Sequence, residues 1–201
     1  MRHHRRVPDD EWQYGERSSA EVRETLLHLV LDFVQSARNV AGVVRIAMLG
    51  SLLSSKARPK DADLLVSILG DIDLGPLARL GRRLQGRAQG INSTADIFLA
   101  DEAGQYIGRV CRYRECFPRV RCQARHCGAR PHLNDDLDAL TLLPDLVASP
   151  PLTLHPTVTA HINVPEDVQR LLLDPLATAA QGGARLAPLY RRNGADSAGL
   201  R

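Results

Sequence analysis

The chain lacks any apolar run of about 18 residues, so no membrane span and no membrane partner are expected. Its first residues, MRHHRRVPDDEW, are basic and polar and lack the apolar core of a secretory signal. Together these absences lead to the expectation of a cytoplasmic protein with reduced thiols. Lysine is nearly missing: of 26 basic residues only Lys56 and Lys60 are Lys, and the rest are Arg, a bias that GC-rich codon usage accounts for. The net charge of +3 is too small to indicate nucleic-acid binding by itself. There is no internal repeat. The four cysteines fall without the C-x2-C knuckles of common zinc sites. What remains is a chain of 201 residues, long enough for one domain with appendages that buries about 70% of its unfolded surface.

Hydrophobic periodicity gives the elements. Residues 1–17 read as a flexible arm. Ser18 offers an N-cap with Glu21 three residues on, and Val22, Leu26, Leu29, Val30, Phe33 and Val34 form a helical stripe ending near Arg38-Asn39. Val43 to Leu49 reads as a strand, residues 51–57 as a short helix or turn, and Ala62 to Leu69 as a second strand. Leu77, Leu80 and Leu84 mark a helix over 74–89 that Gly90 stops. Residues 94–100 make a third strand, with a hairpin continuing over 104–114. Residues 134–152 suggest a short helix and then a proline-rich linker, Val158 to Asn163 a small strand, and Pro165-Glu166-Asp167 the start of a helix interrupted at Pro175. The alternation predicts an α+β (α/β-like) fold, a small mixed sheet flanked by helices. The expected organisation is a core over 18–133 with a Cys/Arg-rich segment at 109–130, a C-terminal helical appendage over 134–180, and a flexible tail over 181–201.

The chemistry concentrates between Arg45 and Ile68, RIAMLGSLLSSKARPKDADLLVSI. An apolar run ends in Gly50-Ser51, and after nine residues Asp61 and Asp63 open a second apolar run. A spacing of two puts both carboxylates on one face of a strand, where they repel each other unless a cation lies between them. Oxygen ligands of this kind favour Mg²⁺ or Mn²⁺ over zinc. The small Gly-Ser pair lets backbone N–H groups and a hydroxyl approach a phosphate.

Gly50-Ser51, nine residues, then Asp61-Ala62-Asp63-Leu64-Leu65-Val66 resembles the signature of the DNA polymerase β-like nucleotidyltransferase superfamily, most closely its minimal nucleotidyltransferases, several of them prokaryotic toxin or antitoxin components. The resemblance covers Ala41 to Ala100. It implies a third carboxylate on a later strand, which Asp96 in Ala95-Asp96-Ile97-Phe98-Leu99 supplies. Lys60 stands where the family often has Ser, and Leu52-Leu53-Ser54-Ser55 replaces the family's frequent Arg and Gly. Lys56, Arg58 and Lys60 could restore the missing charge. The resemblance implies a metal-dependent, ATP- or other NTP-using transferase. Asp61, Asp63 and Asp96 would be catalytic Mg²⁺ ligands, and Gly50, Ser51, Arg58 and Lys60 would contact the nucleotide. The acceptor would be a protein or a tRNA, with a cognate toxin or antitoxin as a possible partner.

The segment Arg109 to Arg130 holds all four cysteines and His126. Cys116, Cys122, His126 and Cys127 could ligate Zn²⁺ tetrahedrally, although adjacent His126 and Cys127 reach one ion only in a strained turn. Ordinary thiols, disulfides or a reactive Cys are the alternatives. Arg112 and Arg114, with Arg119, Arg121, Arg125 and Arg130, could hold a triphosphate or an RNA backbone, and Tyr113 and Phe117 could stack a base; a solvated Arg-rich surface is the alternative. His28 reads as a core or boundary histidine. Asp135, Asp136 and Asp138 read as acids at a helix N-terminus. His132, His155 and His161 receive no role. A non-catalytic nucleotidyltransferase-fold module binding RNA or a protein stands as the second functional reading.

Overall fold

The computed structural model describes residues 17–112, 115, 130–138, 140–158 and 164–183. Among them the chain is α+β, with one mixed six-stranded sheet and helices packed on it. No described helix is long and apolar enough to cross a membrane.

Helix α1 (Ser19–Ala37) starts where the capping signal puts it: the Ser18 hydroxyl accepts from the Glu21 backbone N–H, and the Glu21 carboxylate accepts from the Ser18 N–H. Its Leu26, Leu27, Val30 and Val34 are fully buried. Strand β1 (Val43–Leu49) turns through a single 3₁₀ turn (Gly50–Leu53) into β2 (Asp61–Ile68), which pairs antiparallel with it. Helix α2 (Gly75–Gln89) then carries the chain to β3 (Thr94–Ala100), parallel to β2. This β-α-β unit lets two neighbouring strands begin at the same end of the sheet. Strand β4 (Tyr106–Val110) returns antiparallel beside β3, so the expected hairpin is present over 106–110. Strand β5 (Leu133–Asn134) adds to β4, and only Gly fits at 108, where φ is +126° and a Cβ would stand 2.2 Å from the Asn134 carbonyl oxygen.

The C-terminal third departs from the sequence reading. Helix α3 (Pro144–Val147) is the expected short helix, but where the expected linker closes at 152 the chain enters β6 (Leu152–His155), which pairs with β1 and completes the order β5-β4-β3-β2-β1-β6. Leu152 and Leu154 alternate inward, a period-2 signal hidden behind two prolines. Of the strand expected over 158–163, Val158 is described and lies outside any strand, and residues 159–163 lie outside the described residues. The helix does not break at Pro175. It runs from α4 (Glu166–Val168) through a π-helical segment (Gln169–Leu173) into α5 (Asp174–Gly183). The Asp174 N–H reaches back five residues to the Gln169 carbonyl, and this wider turn accommodates a proline that has no N–H to give. Leu171, Leu172 and Leu173 enter the same core as α1, so the expected appendage is part of the main domain. The tail from 184 onward lies outside the described residues.

Alternation divides the sheet into two faces. Ala62, Leu64, Val66 and Ile68 of β2, with Ala95, Ile97 and Leu99 of β3, point into the core under the helices. Asp61, Asp63, Thr94 and Asp96 fall on the opposite face, at the end where both strands start.

Candidate active site

The site is built from three chain segments. At the end of β1 the backbone turns at Gly50 with φ +73°, which a side chain rarely adopts. A Cβ there would lie 2.8 Å from Asp63 Oδ2 and 3.0 Å from Leu146 Cδ2, so only glycine lets the turn settle onto the carboxylate. Ser51 follows at the head of the 3₁₀ turn, and its hydroxyl is buried with no hydrogen-bond partner among the described residues. Strand β2 contributes Asp61, half-buried, and Asp63, buried to 3% exposure. Strand β3 contributes Asp96, which lies directly across from Asp63 in the parallel register. Neighbouring strands are about 4.8 Å apart, so the three carboxylates share one small region.

Asp63 bears the electrostatic cost. Burial, then the Asp61 and Asp96 charges, push its carboxyl up to about 7 from the ordinary 3.8, with Arg112 pulling the other way. Its Oδ2 is buried and has no hydrogen-bond partner among the described residues. Three carboxylates against one guanidinium leave an excess of negative charge that suits a divalent cation. The donor set, all oxygen with an orphaned buried acceptor, fits Mg²⁺ or Mn²⁺. As they stand, however, no three His, Cys, Asp or Glu side chains among the described residues are grouped as a metal site. Asp96 is engaged elsewhere: Arg112 donates to it twice, Nε to Oδ1 at 2.9 Å and Nη2 to Oδ2 at 2.5 Å.

That pairing is itself held. The Arg112 backbone N–H donates to Glu115 at 2.8 Å, and Glu115 takes both Nη atoms of buried Arg109, at 2.9 and 2.5 Å. Although burial pushes the Glu115 carboxyl up, the Arg109 and Arg112 donors hold it below its usual value. The Arg112 backbone is thus anchored beside Asp96, while its half-exposed guanidinium pairs with that carboxylate.

The loop between Ser51 and Asp61 is pinned from beneath by Arg23, which is 6% exposed. Its Nη2 donates to the Leu52 carbonyl at 3.0 Å and its Nη1 to the Lys56 carbonyl at 3.1 Å, while Nε and Nη2 grip Asp167. Burial is the largest influence and raises the Asp167 carboxyl, but the Arg23 hydrogen bond, the Arg23 charge and backbone N–H donors together hold the group below its usual value. One side chain therefore ties α1, the signature loop and α4 together.

Two cavities open beside the carboxylates. One, of about 470 Å³, is lined by Arg58, Lys60, Asp61, Asn92, Ser93 and Thr94. The other, of about 490 Å³, lies between α2 and the start of β3 and includes Arg82, Gln85, Gln89, Thr94 and Arg112. Their volumes fall in the range of small-molecule sites, roughly 300–1,000 Å³.

Gly50, Ser51, Asp61, Asp63 and Asp96 are thus brought together, and Arg58 and Lys60 stand exposed on the wall beside Asp61. Arg112 sits at the site, on a carboxylate. Arg114, Tyr113, Phe117, Arg119, Arg121 and Arg125 lie outside the described residues, as do the proposed zinc ligands Cys116, Cys122, His126 and Cys127. Cys111, just before them, is buried. Arg130 is turned away, with Nη2 donating to the Gly70 carbonyl at 2.8 Å. His28 is exposed next to Glu24 rather than in the core, because its position falls off the buried stripe. Asp135, Asp136 and Asp138 begin no helix; the chain there follows β5 and turns.

Sequence reasoning missed Arg23, Arg109, Glu115 and Arg82. The signal for Arg23 was available: it stands four residues before Leu27 on the buried side of α1, where a charge needs a partner. No protein-family model matches this chain, and no curated protein or solved structure is similar to it.

Proposed function

We propose that the protein is a divalent-metal-dependent nucleotidyltransferase that moves a nucleoside monophosphate from an NTP to a hydroxyl of a protein or tRNA acceptor. One observation carries the reading. Asp61, Asp63 and Asp96 meet on one face at the Gly50 turn, with Asp63 Oδ2 buried and unpartnered and Asp63 raised to about 7. Such a group needs either a proton or a cation. A bound Mg²⁺ or Mn²⁺ held by Asp61, Asp63 and Asp96 would supply positive charge against the triphosphate.

The remaining roles fall to the chain. The Gly50-Ser51 turn offers backbone N–H groups and a free hydroxyl to phosphate oxygens. Arg58 and Lys60, exposed beside Asp61, pair with the β- and γ-phosphates. Asp96 accepts the proton of the acceptor hydroxyl as the new O–Pα bond forms and the Pα–O bond to pyrophosphate breaks. For this Arg112 must release at least one of its two hydrogen bonds to Asp96. A cognate toxin or antitoxin partner belongs to the same proposal through the resemblance of Gly50-Ser51 and Asp61-Ala62-Asp63 alone.

The bidentate Arg112–Asp96 pair also favours the second reading, a catalytically weak module in which the third carboxylate is permanently occupied. One assay separates the two. With NTPs labelled at the α-phosphate, Mg²⁺, and tRNA or protein as acceptor, label is expected to transfer, and Asp63→Asn is expected to cut the rate about a thousandfold. Absence of transfer, together with NTP binding indifferent to Mg²⁺, establishes the module.

A further inference from the structure

The cavity between α2 and β3 has a charge balance that the nucleotide site does not use. Arg82, on α2, has no carboxylate within ion-pair distance among the described residues. Its Nε is buried and has no partner among the described residues. Among the described residues its only hydrogen-bond neighbour is the ring of His132, 3.3 Å from Nη2, and burial and then the Arg82 charge hold that ring below its usual pKa, disfavouring a second cation there. A guanidinium with an orphaned buried N–H is costly unless something fills the space beside it. Across the cavity Arg112 uses Nε and Nη2 on Asp96, and Nη1 makes no hydrogen bond among the described residues. Gln85, 7% exposed, and Gln89 add amides to the wall. Two arginines and two amides, with no carboxylate among the described residues of the lining, describe a pocket for an anion.

We propose that this cavity is the acceptor's anion subsite. It takes a phosphate group of an acceptor that also bears a hydroxyl, held between Arg82 and Arg112, with the hydroxyl placed at Asp96. The proposal rests on the transferase reading for the role of Asp96, but the anion site itself does not. Binding of the phosphate also supplies what the mechanism lacks. It competes with Asp96 for Arg112, whose guanidinium has five donors and can swing part of its charge onto the newcomer. Asp96 is then freed only when a phosphate-bearing acceptor is present, so the same arginine recognises the acceptor and unlocks the carboxylate.

The test uses the full chain with inorganic phosphate as probe, followed by calorimetry or ³¹P line broadening, without NTP and then with Mg²⁺ and a non-hydrolysable NTP analogue. Arg82→Gln is expected to weaken phosphate binding about tenfold or more, since a charge-assisted contact is lost. Arg82→Lys keeps part of it. Arg83→Gln, an exposed change of equal charge on the same helix, is expected to leave binding unaltered. Phosphate is expected to bind alongside the NTP analogue. Glycerol 3-phosphate and a short RNA then distinguish a small ester from a polynucleotide end, and Arg82-dependent binding of either supports the subsite. Equal losses in Arg82→Gln and Arg83→Gln overturn the proposal, since general attraction then suffices. Competition between phosphate and the NTP analogue overturns it as well, because the cavity then belongs to the triphosphate. Failure of NTP binding with phosphate binding intact contradicts the transferase reading and leaves the anion site standing.

Discussion

Asp63→Asn is expected to stabilise the metal-free protein at pH 8 and to leave it unchanged near pH 4. The folded-state pKa of Asp63 is raised, from 3.8 to about 7. Between those values the unfolded chain gains by ionising this carboxyl while the folded chain keeps it protonated. The wild-type protein therefore loses stability as pH rises through that window, and the loss is complete above about pH 7. Three pK units correspond to on the order of 4 kcal/mol. Asn carries no charge at any pH and escapes the loss. Denaturant unfolding of both proteins across pH 4–8, without divalent ions, measures the difference. Saturating Mg²⁺ is expected to reverse the order at pH 8, because the cation favours the ionised carboxylate and Asn offers it a weaker ligand. A pH-independent destabilisation by Asp63→Asn would mean that the side chain is an ordinary structural polar group.

Arg23→Ala is expected to destabilise the fold by about 3–5 kcal/mol, through the loss of a buried pair member with several hydrogen bonds. The Leu52 and Lys56 carbonyls lose their donor and Asp167 loses its counter-charge. In a chain of this size the change lowers Tm by roughly 10 °C. Arg87→Ala breaks an exposed pair with Asp32 and is expected to cost under about 1 kcal/mol. Arg23→Lys restores charge without the planar fork, so it is expected to recover only part of the loss. The readout specific to the site is amide exchange in residues 51–60, which is expected to accelerate in Arg23→Ala ahead of global unfolding. Equal effects of Arg23→Ala and Arg87→Ala would remove Arg23 from its pinning role.

These two residues show what sequence reasoning reached. Asp61 and Asp63 were legible because strand periodicity is local: a spacing of two fixes a shared face wherever the strand sits. Asp96 was legible as a carboxylate in a β-like run, but its position opposite Asp63 depends on the parallel register created by α2. Helix α1 was legible down to its capping box, since caps are written in adjacent residues. Arg23 was missed because its partners are 29 to 144 residues away, and nothing local names them. Strand β6 was missed for the same reason: four residues flanked by prolines become a strand only because β1 has an open edge beside them. Pro175 misled the helix boundary because the π-helical turn that tolerates it involves packing of Leu171, Leu172 and Leu173, not propensity. Arg112 was read as a phosphate ligand from its type and place, and its hold on Asp96 requires the β3–β4 pairing.

The central claim is that the three carboxylates form one site for a divalent cation, and Mn²⁺ titration followed by the loss of the free-ion EPR signal tests it most directly. Wild-type protein, freed of metal with chelator, is expected to bind Mn²⁺ in competition with Mg²⁺, more tightly when an NTP is present. Asp61→Asn and Asp63→Asn are each expected to weaken that binding at least about tenfold, as loss of one charged ligand should. If wild type and both variants bind Mn²⁺ equally weakly, with or without NTP, the carboxylates hold no metal and the account is contradicted.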